Sequence, residues 1–436
     1  MRTFYLYTLM RKYWIFIYIC FAFLSQSCTR TNWHRAFTHS SLSTLASGIY
    51  IEELESQKVV FEHHSDHFFM PASNTKLLTF LMANRYLPST IPNFKYQETP
   101  DSLFVWGVGD PSFLDPRFQN KALLDFLQAI KKTVILADAD GQIPAFGSGW
   151  AWDDYNDDYS AEISSLPIYG NLVRLATKKG NWDFSPARFK NSAQVNGAYK
   201  QVQRERLSNQ FSLPLLGAGK SWTQQVPFLT SSKLSADLLA DTLGRPVFAF
   251  PKALSPQVKT YYSGALDSLF VPLLHESDNL IAEQLLVMMG FEKSWGRSAP
   301  EVIKSLSNLP ENAWLKEIKW VDGSGLSRYN LVRPKDLAMV MRKLTEEVPF
   351  ERLTKLLPES GKSGTMKNIN LGNTGAKFWA KSGSFGNTYD LSGIYQNAQG
   401  KKFLFSVMTN LANQPVSVSK KALIEFLGTL DKFHTK

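Results

Sequence analysis

Three short stretches of this chain combine residue types that can cleave an acyl bond. The first is Ser73-Asn74-Thr75-Lys76. One helical turn separates the hydroxyl from the amine, so both fall on the same face within hydrogen-bonding reach. A lysine sheltered from water has a lowered pKa and can take the serine proton. A helix N-terminus at Ser73 also offers free N–H groups where a tetrahedral oxyanion would form. The second stretch, Ser277-Asp278-Asn279, opens a helical run from Leu280 to Met289. Its serine hydroxyl can relay a proton between lysine and leaving group. Its asparagine amide can bond both Lys76 and a substrate carbonyl. The third is Lys381-Ser382-Gly383-Ser384. Here a lysine on an edge strand offers a charge to a substrate carboxylate, and Gly383 permits close backbone approach. The N–H of Ser384 would complete an oxyanion hole with that of Ser73.

Each stretch also has a plain structural reading. Ser73, Ser277 or Asp278 can simply cap a helix. Ser417 and Lys420 form a second S-x-x-K that reads as a cap with a solvated lysine. Lys362-Ser363-Gly364 repeats the third tripeptide, but it leads into Thr365-Met366-Lys367-Asn368 as a loop, so Lys381 is preferred.

The elements that must position these residues follow from patterning. Gly48 to Glu62 reads as a β-hairpin around Glu55-Ser56-Gln57, and Ser73 to Tyr86 as an amphipathic helix that Pro71 keeps from starting earlier. From about Ile91 to Phe250, short β-like runs alternate with Gly, Pro, Asn and Asp clusters and frequent aromatics, which reads as an inserted β-rich module. Helical patterning returns at Ser255 to Gly290. An antiparallel pair, Leu391 to Asn397 and Lys401 to Asn410, precedes a last helix from Ser417 to Lys432. The expected class is α+β, an antiparallel sheet flanked by helices and interrupted by an insert. The expected boundaries are 28–90 and 255–436 for the catalytic domain and 91–254 for the module.

Hydrophobic residues make up 44% and charged residues 20% of the 436 positions, which excludes disorder and low complexity. The net charge of +10 is modest for this length and comes without a dense Lys/Arg block, so no nucleic-acid partner is expected. Cys20 and Cys28 are the only cysteines, so the body has neither a disulfide framework nor a cysteine zinc site. Arg2, Arg11 and Lys12 precede an apolar run from Tyr13 to Leu24, too short for the roughly 20 residues of a membrane span but suited to a signal peptide. Leu24-Ser25-Gln26-Ser27-Cys28 resembles a lipoprotein cleavage box with Cys28 to be acylated. Residues 1–27 are therefore expected to be removed, and the protein to reside in the cell envelope, in the periplasm, touching a membrane only through a lipid anchor.

In this order the three motifs resemble those of the serine DD-peptidase superfamily, with Ser382 standing where a threonine is usual. The long gap between Ser73 and Ser277 resembles the class C low-molecular-mass penicillin-binding proteins, the penicillin-binding protein 4 type D-alanyl-D-alanine carboxypeptidases/endopeptidases. Further stretches look like the same family: Met70 to Leu77, Gly107-Val108-Gly109-Asp110-Pro111, Gly149 to Asp154 and Asp322 to Asn330. The resemblance implies a DD-peptidase/β-lactamase-like transpeptidase domain that cleaves D-Ala-D-Ala ends or cross-links of peptidoglycan stem peptides, with β-lactams as covalent inhibitors. It implies that Ser73, Lys76, Ser277, Asn279 and Lys381 are catalytic, and that Ser382 and Gly383 bind substrate. By motif, Asp154 matches the family's acid for the diaminopimelate amine, and Arg328 the arginine of the same pocket. No metal or organic cofactor is expected.

The rivals are a β-lactamase or esterase on the same domain, and a non-catalytic peptidoglycan-binding lipoprotein. His63-His64-Ser65-Asp66-His67 has spacings a metal could use, yet it reads as a solvated loop. Asp153, Asp154, Asp157 and Asp158 do not match a calcium loop.

Overall fold

The computed structural model describes residues 33–138, 143–178, 181–215, 221–371 and 375–430. The expected signal segment and Cys28 lie outside them. By its contacts the chain divides into a central unit, Ala72–Leu331, and a unit made of its two ends, Met1–Pro71 with Val332–Lys436.

The end unit opens with a hairpin. Strand β1 (Ser47–Glu53) buries Ile49 and Ile51 and pairs antiparallel with β2 (Val59–His63) across the expected turn.

The central unit starts at a 3-10 turn, Ala72–Thr75, that runs into helix α1 (Lys76–Tyr86). Residues Lys76 to Ala83 are all buried, which marks α1 as an interior helix rather than an amphipathic surface one. Next come the antiparallel strands β3 (Thr90–Glu98) and β4 (Ser102–Gly107). Helix α2 (Ala122–Ala129) crosses over to β5 (Thr133–Asp138), which lies parallel to β4. Short strands follow: β6 (Leu172–Lys178), β7 (Asn181–Ser185), β8 (Ala193–Val195), β9 (Gln203–Arg204), β10 (Phe211–Leu213) and β11 (Thr223–Pro227). They form sheets ordered β11-β6-β7 and β8-β10-β9. Helix α3 (Ser232–Leu243), capped by the Ser231 side chain, leads to β12 (Val247–Pro251), parallel to β5.

One helical expectation is corrected next. Residues Lys259–Ala265 form strand β13, antiparallel to β3, and complete a sheet ordered β12-β5-β4-β3-β13. The run Lys259-Thr260-Tyr261-Tyr262 is rich in strand formers, and Tyr261 stacks on Phe94 with ring centroids 5.4 Å apart. Helical structure begins at α4 (Asp267–His275) and continues in α5 (Asn279–Lys293) and α6 (Ala299–Asn308). Helix α5 is buried from Asn279 to Phe291 and packs on α1, while Phe80 meets Phe270 edge-on at 4.7 Å. Two interior helices thus hold the first two motifs against each other.

The end unit resumes with α7 (Pro334–Glu347) and α8 (Phe350–Leu356). Then come β14 (Lys377–Phe385), β15 (Thr388–Gln396), β16 (Lys402–Thr409) and α9 (Val416–Leu430). Its sheet is ordered β14-β15-β16-β1-β2, which puts β14 at an edge. One face is apolar: Ile49, Phe378, Leu391, Phe405 and Val407 pack with Leu423 and Phe426 of α9. The period of two puts different residues on the other face, which α7 covers. There the register aligns Lys381, Ser392, Ser406 and Tyr50 across four strands. Arg342 of α7 pairs with Glu52 on that face. The architecture is the expected antiparallel sheet flanked by helices.

Candidate active site

Lys76 is fully buried at the first position of α1. Its Nζ donates to Ser73 Oγ at 2.9 Å, to Asn279 Oδ1 at 2.6 Å and to the Ser324 carbonyl at 2.7 Å. Burial lowers its pKa to about 8, against the opposing charges of Asp322, Glu283 and Asp278. A neutral amine is therefore accessible near physiological pH. Loss of one proton turns the contact with Ser73 from donor to acceptor, which is what a base for a serine nucleophile requires.

The backbone beside the nucleophile is strained. Ala72 sits at φ 44°, in the left-handed region that residues bearing a Cβ avoid. Gly325, at φ 84°, passes so close to the Ala72 carbonyl that a Cβ there would collide with it. Only glycine allows the loop from Asp322 to Asn330 to lie over the nucleophile turn.

The S-D-N motif divides its labour. Ser277 occupies the bend before α5 at φ 62°, again left-handed. Asp278 is the N-cap of α5, accepting from the Ile281 N–H at 2.8 Å, while its other oxygen takes Arg117 at 2.6 Å. That residue is structural. Asn279 accepts from Lys76 as expected, but its Nδ2 donates to the Tyr159 carbonyl at 2.9 Å instead of pointing only toward a substrate position. The motif is thereby fastened to the loop that carries Asp154.

Asp154 lies in a 3-10 turn, Trp152–Asn156, and is partly buried. Burial and the charges of Asp153 and Asp157 push its carboxyl up, while the Tyr159 hydroxyl and Arg328 pull it down. Arg328 is exposed, close enough to act on that carboxylate, and its N–H meets the Gly149 carbonyl at 3.4 Å. Asp322 accepts from Trp150 Nε1 at 2.9 Å. Gln284 of α5 donates to the Gly109 carbonyl at 2.9 Å. Stretches far apart in sequence are thus tied to the helices that carry Lys76 and Asn279.

Glu283 escaped the sequence reading. It is fully buried on α5, one turn after Asn279, and accepts from the N–H groups of Gly323 (3.0 Å) and Ser324 (2.7 Å). Burial raises its pKa, with Asp322 adding to the effect. It holds the strand of chain whose Ser324 carbonyl receives Lys76. The available signal was a single acid within the otherwise apolar run Leu280 to Met289.

The third motif belongs to the end unit. Lys381 is buried on the edge strand β14, opposite Ser392, and its Nζ donates to the Ser382 carbonyl at 2.6 Å. Ser382 Oγ donates to Thr365 Oγ1 at 3.1 Å. Gly383 and Ser384 stand opposite Asp390 and Tyr389. Lys362, the rejected alternative, is exposed and paired with Glu359 at 3.1 Å. The histidines of the loop after β2 stack on one another, His64 on His67 at 4.6 Å. Among the described residues no group of three His, Cys, Asp or Glu side chains could hold a metal ion.

Comparison with known proteins adds an independent line. The model of the D-Ala-D-Ala carboxypeptidase 3 (S13) family matches residues 30–216 and 250–430. D-alanyl-D-alanine carboxypeptidase DacB of Haemophilus influenzae is 23% identical over 430 residues, covering 83% of this chain and 85% of its own. The crystal structure of penicillin binding protein 4 (dacB) from Haemophilus influenzae superposes with a TM-score of 0.71 at 21% identity, covering 90% of this chain and 98% of that one. Penicillin G acylated Bd3459 predatory endopeptidase from Bdellovibrio bacteriovorus gives 0.51 at 13% identity, covering 89% and 92%. At these identities the two structures establish the fold.

Proposed function

Because the chain belongs to the D-Ala-D-Ala carboxypeptidase 3 (S13) family, we propose that Ser73 is the nucleophile with which it opens peptidoglycan stem peptides. The protein is a serine-type D-Ala-D-Ala carboxypeptidase/DD-endopeptidase of the cell envelope, and it binds penicillin. The observation that supports Ser73 is the buried Lys76 Nζ, 2.9 Å from Ser73 Oγ and 2.6 Å from Asn279 Oδ1.

In the proposed reaction, neutral Lys76 takes the Ser73 proton as Oγ attacks the carbonyl carbon of the penultimate D-Ala. The N–H groups of Ser73 and Ser384 hold the oxyanion. Ser277, with Asn279 orienting Lys76, passes the proton to the departing amine nitrogen, and the peptide C–N bond breaks. Lys381, with Ser382 and Gly383, secures the terminal carboxylate by a charge-assisted bond. Water then hydrolyses the Ser73 ester and regenerates the hydroxyl. Asp154 and Arg328 receive a zwitterionic side-chain end, acid to amine and guanidinium to carboxylate. The module from 91 to 254 supplies Asp154 from outside the catalytic domain.

The test pairs two readouts. Labelled penicillin acylates the wild type but not Ser73→Ala, and the wild type alone releases D-alanine from pentapeptide muropeptides. Equal labelling of both proteins refutes the assignment. Rapid nitrocefin turnover without D-alanine release would favour the β-lactamase reading.

We place the protein at a membrane through a lipid on Cys28; no helix among the described residues is long and apolar enough to cross one. Radiolabelled palmitate should enter the wild type and not Cys28→Ala.

A further inference from the structure

The central unit holds a cavity of about 590 Å³ that shares no lining residue with Ser73, Lys76 or Asn279. It opens at the carboxyl ends of the parallel strands β4 and β5, where Val105 and Leu136 face it. The volume falls within the roughly 300–1,000 Å³ of small-molecule sites.

The cavity has two kinds of wall. The strand side is apolar, from Val105 and Leu136. The lining also includes the hydroxyl residues Ser164, whose Oγ accepts from Asn171 Nδ2 at 3.0 Å, and Thr230, Ser232 and Ser235 around the start of α3. Glu162 is buried there, and its Oε2 already accepts from the Thr230 N–H and hydroxyl, both at 2.7 Å. Its charge is therefore engaged by the protein and is poorly placed to recruit a peptide amine. Arg297 also lines the cavity and lies over the Phe291 ring, 5.2 Å from guanidinium carbon to centroid, so the lining carries one cation beside an aromatic surface. One cation and an engaged acid do not suit a polyanion. A lining that combines apolar side chains with hydroxyl groups matches a pyranose ring, with its C–H face and hydroxyl edge, and Arg297 suits an acyl or carboxylate oxygen on that ring.

We propose that this cavity binds the glycan of peptidoglycan as an amino-sugar disaccharide, apart from the peptide handled at Ser73. The inference rests on the peptidoglycan activity given above. It would hold the polymer by its sugar while the stem is cut.

The experiment is calorimetric titration of the full chain with peptide-free N-acetylglucosaminyl-N-acetylmuramic acid, and in parallel with an isolated stem tetrapeptide. Wild type, Ser235→Leu and Arg297→Ala are compared, and penicillin acylation reports on folding and on Ser73. Saturable disaccharide binding, weakened about tenfold or more in both variants with acylation unchanged, is the expected result. Any variant that loses acylation is replaced by the milder Ser235→Ala or Arg297→Gln. Absence of saturable disaccharide binding overturns the proposal. So does unchanged affinity in either variant, or displacement of the sugar by the tetrapeptide. Failure of the wild type to be acylated by penicillin instead refutes the peptidase reading, whatever the titration shows.

Discussion

The side-chain oxygen of Asn279 accepts a hydrogen bond from Lys76 Nζ at 2.6 Å, although the two residues are 203 positions apart in the chain. Both groups are buried on helices that are themselves interior. An amine in that position loses water as a partner and is left with one hydroxyl, one amide oxygen and one backbone carbonyl. All three can hold an ammonium, yet none carries a full charge. Burial therefore prevails over the more distant acids, the ammonium becomes more acidic, and more of the lysine is in the neutral form that can accept a proton near physiological pH.

Acylation should follow the protonation of this lysine. Below a pKa of about 8 the ammonium dominates, and the rate of penicillin acylation should fall about tenfold per pH unit. Above it the rate should level off. A profile flat from pH 6 to 9 would remove Lys76 as the base.

Glu283→Gln should leave the shape of α5 intact while one of the two backbone N–H groups it serves loses its acceptor. The expected cost is about 1–3 kcal/mol of stability. Acylation should slow about tenfold as the Ser324 carbonyl shifts away from Lys76. Unchanged acylation and melting would show that Glu283 does not organise this loop.

Lys381→Ala should act on binding. A lost hydrogen bond to a charged group is worth about 1.5–3 kcal/mol, so KM for substrates ending in a free carboxylate should rise about 10- to 100-fold. Substrates amidated at that end should be affected much less. Equal losses on both would deny Lys381 its carboxylate.

Asp154→Ala and Arg328→Ala should each lower cleavage of diaminopimelate-containing cross-links about tenfold, and leave penicillin acylation unchanged. The Asp154 carboxyl is pushed up by burial and by its acidic neighbours, so its negative charge, and the preference it confers, should fade at a higher pH than for an ordinary aspartate. Acylation impaired in parallel would point to a structural role.

Asp390 faces the third motif across the β14–β15 register, opposite Gly383. Its Oδ1 accepts from the Thr409 N–H at 3.0 Å, and its buried Oδ2 has no hydrogen-bond partner among the described residues. Burial raises its pKa well above the ordinary range. A carboxyl raised in the folded state lends stability that is complete below its unfolded pKa and is lost as pH rises through its folded one. Asp390→Asn should accordingly match the wild type near pH 4 and melt about 2–4 °C higher at alkaline pH. Identical melting at both ends would deny that Asp390 is buried neutral.

Chemistry-bearing residues were legible because they are local. Ser73 and Lys76 are one turn apart, Ser277 and Asn279 are two residues apart, and Lys381 to Ser384 are contiguous, so local spacing nominates them and the order of the three motifs prefers them over helix caps. The residues after Lys362 read as a loop, which favoured Lys381, and Lys381 does lie on an edge strand, β14. Residues Lys259–Ala265 were misread because helical periodicity in the following α4 and α5 spread over a short strand. What that segment becomes is set by its pairing with β3, a partner distant in the chain.

What only the tertiary structure decided is who shares a proton or a charge with whom. Glu283 looked like one acid in an apolar helix; its role comes from Gly323 and Ser324 arriving from another segment. The tie between Asn279 and Tyr159, the coupling of Asp154 to Arg328, and the lowered pKa of Lys76 have the same origin. The sequence determines residue type and local spacing, and so the available chemistry. Burial and long-range contact depend on how the whole chain packs, and they set the dielectric and the partners that make this chemistry work.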